Sequence, residues 1–539
     1  MKLVMKKICL SILVAASLFA CRKLDQPITK EFTENAYWRN AQDGLDALTA
    51  CYEHLSKDDY FYGDEALSDN AYNSGTGLLN VNAISNGGYD GNNARVKDTW
   101  SYYYTTIRRC NEITLNMDRV PGIDSALKRR IVAEARFIRA YAYFQLTAWY
   151  GDVPFYLDLI SIDNSRTISR TDKNTIQQFV LSELNDIRKD LPANTAQEQK
   201  DRGRVTRGAA IAMSARVHLF RSEWQEVVND CELLIGKTTD GAYSLFNSYS
   251  GMFTVANEYN SEVIFDLQYG GSRTNDKQRS FMPQTITALR SVLVPTQDLV
   301  DDYIMTNGKA INEAGSGYDE NNPYMNRDPR FEATILHHGS KVTDLNGNVQ
   351  TILTQPGSVP STNTVDDQGA SPTGYYFYKY YDRAATNYAS GLNLILIRYA
   401  DVLLMYAEAK NELGQMNAAV WNQTIQPIRK RAGFTDAGAT EFNAAWDKAA
   451  LQTIIRRERR AEFAFEGLRA LDIRRWKIAA TVLNRPVRGI RVTSGAFNKD
   501  PKGYIIVENR LFTDPKHYLW PVPTVERDQN KNLSQNQDW

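Results

Sequence analysis

Residues 133–155 read AEARFIRAYAYFQLTAWYGDVPF. Apolar residues recur at Ile131, Ala135, Ile138, Ala142, Leu146 and Trp149, the period of a helix. A second apolar line, Phe137, Tyr141, Phe144 and Ala148, covers most of the remaining circumference. A helix greasy on so many sides is buried in a large domain rather than laid on a surface. Gly151 and Pro154 stop it. Glu134, Arg136 and Arg139 sit inside this apolar run, and burying them is costly unless other helices supply partners.

Outward from that helix, periodicity predicts helices over 41–55, 99–117, 125–150, 173–191, 204–219 and 225–235. The last two form a helix–turn–helix over 207–236, with Ala209, Ala210, Ala212 and Ala215 at close-packing points and Trp224 at the corner. It resembles a tetratricopeptide-type hairpin. A second such hairpin is predicted over 394–431 (RYADVLLMYAEAKNELG, then NAAVWNQTIQPIRKR). Stacked helical pairs need neighbours to cover their apolar faces. Segments 68–93, 307–326 and 344–374 are instead rich in Asn, Gly, Thr or Tyr and nearly free of helical period. Loops this long in a compact domain are functional or disordered. Short strands are predicted at 263–268 and 375–381. The fold class is mainly α, a helical scaffold carrying a loop-rich face with a few short strands.

At the start, Lys2, Lys6 and Lys7 precede an apolar core at 8–19, and Ala20 precedes Cys21, the layout of a secretory signal at 1–20. Leu18-Phe19-Ala20-Cys21 resembles a lipobox, although Phe19 is bulkier than usual, which makes Cys21 the expected lipidation site. Several acyl chains anchor firmly, since each buried methylene contributes about 0.8 kcal/mol. Residues 21–28 read as a tether. Among the 539 residues, Lys+Arg and Asp+Glu both number 63. That balance gives no electrostatic reason to expect a nucleic-acid partner. Cys51, Cys110 and Cys231 make no C-x-x-C pair and read as buried free thiols.

Five segments together are similar to the SusD/RagB family, the nutrient-binding lipoproteins of the Bacteroidota outer membrane. They are the helix at 133–155, DPRFEATI at 328–335, ILIRYADVLLMYAEAKNELG at 395–414, RRERRAEFAFEGLRALDIRRW at 456–476, and the C-terminal stretch from Tyr518 with LWPVP and a final Asn-Gln-Asp-Trp. The resemblance implies an N-terminal SusD-like helical region over 21–240 and a C-terminal RagB/SusD region over 241–539, packed together. It also implies a tetratricopeptide-like fold, capture of oligosaccharides or, in some branches, peptides, and delivery to a SusC-like TonB-dependent barrel. Fold alone does not fix the ligand.

Glu458, Glu462 and Glu466 repeat at i, i+4, i+8, a spacing that raises the question of a glycosidase pair. Their neighbours Ala461, Phe463, Ala464 and Phe465 are packing types, so the preferred reading is an ion-pair network, with Arg398, Arg136 and Arg139 as candidate partners. His54, His218, His337, His338 and His517 make no metal spacing, and no Walker loop, G-x-G-x-x-G or G-x-S-x-G elbow appears. No catalytic residue, cofactor or metal is expected.

A sugar offers apolar C–H faces rimmed by hydroxyls, so its site wants aromatic rings beside Asn, Asp, Gln or Arg. Affinity per ring is modest, near −4 kcal/mol, so long ligands gain by touching several. Candidates in irregular segments are Tyr72 with Asn73, Tyr89 with Asp90, and Tyr318 and Tyr324 among Asn321, Asn322 and Asn326, and Trp100 follows at the start of the next helix. The family resemblance points to the region before and around Trp100 and to insertions in the second half as sources of ligand contacts. Tyr376–Phe377 and the residues after them read as structural.

Overall fold

The computed structural model describes residues 37–75, 81–270, 273–356, 371–493 and 495–539. The signal segment, Cys21 and the tether lie outside the described residues.

The helix read first is Ser125–Tyr150 (α3 below). Asp124 caps it by accepting from the amides of Ala126 and Leu127, and Gly151 ends it with φ +73. A Cβ on Gly151 would sit 2.8 Å from the Leu519 side chain, so both backbone sign and space favour glycine there. The remaining main elements are, in order, α1 Ala41–Leu55, β1 Ala71–Asn73, α2 Ala94–Asn116, α3, α4 Lys173–Ile187, α5 Arg207–Phe220, α6 Trp224–Leu234, β2 Val263–Leu267, β3 Leu293–Pro295, α7 Gln297–Asp302, β4 Leu394–Arg398, α8 Tyr399–Glu412, α9 Lys448–Phe463, α10 Arg469–Arg475, β5 Pro486–Arg491 and β6 Tyr504–Asn509. Helices pack in a continuous row: α2 on α3, α3 on α4, α4 on α5, α5 on α6, α6 on α8 and α8 on α9. The mainly helical expectation holds, and all the described strands lie in two-stranded antiparallel pieces.

Four expectations need correction. The helix predicted from residue 99 begins at Ala94, because Asn93 caps it there. The second hairpin opens with a strand: 394–398 is β4, paired antiparallel to β2 with Leu394 opposite Leu267, and its second helix breaks at Thr424. Segment 68–93 is less irregular than its composition, since it holds β1 and the short helix Val81–Ser85. The strand predicted over 375–381 shrinks to Tyr376–Phe377, opposite Ile335–Leu336, because Tyr380 turns left-handed at φ +65. Part of the loop at 344–374 lies outside the described residues.

Charges inside the apolar helices do find partners. Glu134 accepts from the Tyr52 hydroxyl at 2.7 Å and pairs with Arg130 at 2.9 Å and Arg204 at 3.2 Å. Arg136 and Arg139 both pair with Glu183 of α4, at 2.6 and 2.7 Å. They do not serve the Glu458 series, contrary to expectation. Trp149 stacks on Trp520 with centroids 4.3 Å apart, and the Trp520 amide donates to the Trp149 carbonyl at 2.7 Å, tying the C-terminal LWPVP segment to α3. Cys51, Cys110 and Cys231 are free and buried.

Candidate functional site

The carboxylates at 458, 462 and 466 sit at the end of α9, although Glu466 lies past the helix, which stops at Phe463 before a left-handed Phe465. Glu462 is 0% exposed and pairs with Arg398 at 2.6 Å, with Arg330 at 2.9 Å and with Arg431. Glu458 pairs with Arg330 and Arg429, each at 2.7 Å. Glu466 pairs with Lys379 at 2.5 Å and Arg398 at 2.8 Å. Glu262 bridges Arg398 and Arg431, and Asp328 pairs with Arg330. Five cations (Arg330, Arg398, Arg429, Arg431, Lys379) thus meet five carboxylates (Glu262, Asp328, Glu458, Glu462, Glu466). Burial pushes the Glu462 carboxyl up, but Arg431, Arg398 and Arg330 outweigh it and hold it well below the usual carboxylate range. Glu458 is lowered in the same way against its burial, by Arg330 and Arg429. A general acid needs the opposite shift. Among the described residues no group of three or more His, Cys, Asp or Glu is placed to hold a metal.

The loop-rich face is built around β6. β1 pairs antiparallel with β3, Tyr72 opposite Val294, and the Asn70 carbonyl accepts from the Thr296 amide at 2.9 Å. Beneath it, Asp69 takes Arg469 at 2.8 Å and the Asn70 side-chain oxygen takes Arg460 at 2.7 Å, which fixes the strand to the helical core. α7, which follows β3, packs on β5, and Arg488 of β5 reaches Asp298 and Asp301 of α7.

Tyr504 and Glu508 mark the two ends of β6, four residues and about 13 Å apart, with a shift in the β5–β6 register between them. At one end Tyr504 and Tyr318 lie close enough to perturb each other's phenols, with Arg488 5.3 Å from the Tyr504 ring centre and Arg327 5.6 Å from that of Tyr318. At the other end Glu508 lies near the Asn86 side chain and pairs with Arg510 at 3.6 Å, and the half-buried Tyr72 lies within electrostatic reach of both charges. Asn86 is three residues from Tyr89, at most about 10 Å of chain. Tyr89 is half-buried and packs on His517 and Trp539, with ring centres 5.3 and 4.8 Å away. Tyr318 therefore lies at the Tyr504 end of β6 and Tyr72 at the Glu508 end, while Tyr89 packs on His517 and Trp539 with its hydroxyl buried, and the neighbouring Asp90 is exposed, its carboxylate accepting from the Asn92 amide.

The other candidates belong to the scaffold. Trp100 is 3% exposed and packs edge-on to Tyr150, 5.1 Å between centres, so it has no face to offer. Asn73 is buried in β1, its amide donating to the Gly75 carbonyl at 3.0 Å. Tyr324 stacks on His337 at 3.8 Å, and burial pushes its phenol up to about 12. Sequence reasoning missed Tyr259. It is 40% exposed, the only exposed aromatic among the described residues, and its hydroxyl lies near Asn393. The signal was present in its neighbours Asn257 and Asn260.

Two family models cover most of the chain: the SusD family over residues 261–539, and a family described as starch-binding, associating with the outer membrane, over 25–219. The chain belongs to the SusD family. Relatives of this SusD-family chain include SusD-like protein P25 of Formosa agariphila, 28% identical over 494 residues, covering 87% of this chain and 89% of that one. A SusD-like carbohydrate-binding protein of Bacteroides fragilis has the same fold, with a TM-score of 0.82, 26% identity, and coverage of 92% of this chain and all of that one. A laminarin-binding SusD-like protein shares the fold at a TM-score of 0.70 with 22% identity, covering 93% and 100%. No helix among the described residues is long and apolar enough to cross a membrane.

Proposed function

We propose that this SusD-family chain binds oligosaccharides without catalysis at the outer membrane, held there by a lipid on Cys21, and passes them to a SusC-like TonB-dependent barrel. The binding band runs from Tyr318 through Tyr72 to Tyr89, with Asp90 at its edge. The observation that carries this reading is the placement of two half-buried tyrosines from segments far apart in sequence, Tyr318 and Tyr72, at the two ends of β6 beside charged groups suited to sugar hydroxyls, with half-buried Tyr89 three residues from Asn86. Family membership and the carbohydrate-binding relative support the ligand class. The ion-paired state of Glu458 and Glu462 supports a non-catalytic role, since neither carboxyl is poised to donate a proton.

The test uses the soluble chain from Arg22 onward with a panel of neutral oligosaccharides and a panel of peptides. A glycan bound to the folded state raises the melting temperature in proportion to the logarithm of its concentration. Tyr318→Ala is expected to abolish most of that rise. A shift with peptides and none with glycans sinks the ligand class. Sugar turnover that disappears in Glu462→Gln sinks the non-catalytic role, and purification from native membranes with no barrel attached sinks the delivery step.

A further inference from the structure

A cavity of about 860 Å³ opens where the end of α3, the start of α4, the α5–α6 turn, the end of α10 and the C-terminal segment meet. Its size is that of a small-molecule site. Six cations line it: Lys173, Arg221, Arg474, Arg475, Lys477 and Lys516, against one lining carboxylate, Asp514. Two of the cations are spoken for. Arg475 pairs with Glu408 at 2.6 Å and Asp472 at 2.8 Å, and Arg221 with Glu223 at 2.8 Å. The other four make no salt bridge among the described residues.

Arg474 is the most telling of them. It is 7% exposed, yet its guanidinium meets only the carbonyls of Ala470 at 2.8 Å and Leu67 at 3.4 Å, and its Nε has no partner. The Trp149 and Phe512 rings flank it at 5.2 and 5.6 Å. Asp64 lies within electrostatic reach but its salt bridge is with Arg95, so Arg474 touches no carboxylate, and a buried charge left that way is costly. Burial lowers the Lys477 pKa, and Lys173 lowers it further, so like charges crowd the cavity mouth. The α4 N-terminus does not explain the site, because its first amides are already taken by Asp152 and Asp172. The remaining wall is mixed: Phe220, Tyr518 and Leu519 offer apolar surface, and Asn174, Gln177 and Gln537 offer amides.

We propose that this cavity is a second binding site, for an anionic saccharide whose carboxylate or sulfate ester is held by Arg474, Lys173, Lys477 and Lys516. Concavity, amides and apolar walls fit a sugar ring, and the unpaired cations fit its charge. The word saccharide rests on the glycan-binding reading above, whereas the charge preference rests on the cavity alone.

Titration calorimetry at low salt on the chain from Arg22 would compare a neutral glucan oligomer, the same oligomer sulfated, an oligogalacturonate, inorganic sulfate and polyglutamate. At least one anionic saccharide is expected to bind, with affinity falling about tenfold or more in Lys173→Glu/Lys477→Glu, and falling again with added salt. Arg474→Gln is expected to weaken it similarly, and the two exposed lysines keep the test valid if that buried variant misfolds. Tyr318→Ala should leave this binding unchanged. The proposal is overturned if neither anionic saccharide outbinds the neutral oligomer, if inorganic sulfate binds as well as the sulfated oligomer, if polyglutamate binds best, or if the double variant binds like wild type. Loss of neutral-glycan binding alone would strike the Tyr318 band and leave this site standing.

Discussion

Around Glu462 and around Arg474 the same residue types are buried at similar depth, but their partners differ. At Glu462 five cations and five carboxylates close on one another, each within hydrogen-bonding distance. At Arg474 the guanidinium meets carbonyls only, and three lysines nearby have no carboxylate of their own. A closed set of charges specifies how helices fit, because any other arrangement strands an ion. An open set is a standing cost in the free protein that an incoming anion removes. The SusD hallmark 456–476 contains both kinds within one turn of α10, where Arg475 is closed by Glu408 and Asp472 while Arg474 is not.

Breaking the closed set should have the largest effect. Arg398→Met takes one cation away from Glu262, Glu462 and Glu466 at once, leaving more buried negative than positive charge, and a loss of about 3–5 kcal/mol in folding stability is expected by denaturant titration. A loss below about 1 kcal/mol would mean the network closes without Arg398 and would dissolve the contrast. The same set dictates acid behaviour. Glu458 and Glu462 are held below their unfolded value of 4.5, so the stability they contribute is present above that value and is lost as pH falls beneath it.

The half-buried tyrosines stand between the two extremes, anchored at one edge and open at the other. Tyr318→Ala and Tyr72→Ala are each expected to weaken neutral-glycan binding by about 1–2 kcal/mol, read by calorimetry, with little change in melting temperature. Trp100→Ala should do the reverse, costing about 3–5 kcal/mol of stability through the cavity it leaves beside Tyr150. If Tyr318→Ala instead unfolds the protein and spares binding, the band is scaffold.

That pair of expectations also shows what was legible in the sequence. The α3 and α1 boundaries fall where the caps and period place them, because Asp124, Gly151 and Asn40 act locally. β4 was misread as part of a helix because its pairing with β2 spans more than a hundred residues and its alternation covers only five. Trp100 reads from the sequence as a first-turn residue beside an Asn-rich segment, but the cap at Asn93 starts α2 at Ala94 and puts Trp100 well inside it. The basic cavity left no trace in the sequence. Arg474, Arg475 and Lys477 stand together in one segment, but Lys173, Arg221 and Lys516 come from three others, and only packing brings them together.

A smaller effect comes from carboxyls that are buried without a cation. Burial, with Asp266 nearby, pushes Glu258 up to about 7, and burial raises Asp266 to about 6. A raised carboxyl contributes stability below its unfolded value of 4.5 and loses it as pH rises through its folded value. Wild-type melting temperature should therefore drop between pH 5 and about 7 relative to Glu258→Gln. Parallel curves would mean that Glu258 ionises as an exposed residue does.

The smallest effect tests whether burial, and not pairing as such, separates closed from open. Arg108 and Glu112 form an i, i+4 pair at 3.1 Å on α2, with 68% and 40% of their side chains exposed. Their geometry matches many pairs in the Glu462 set, but water screens the attraction and hydrates either partner left alone. Arg108→Ala should cost about 0.3 kcal/mol, against roughly ten times that for Arg398→Met. Equal costs would mean that contact distance alone sets the energy. Arg474 would then be merely a residue without a neighbour, and the basic cavity would lose its claim on an anion.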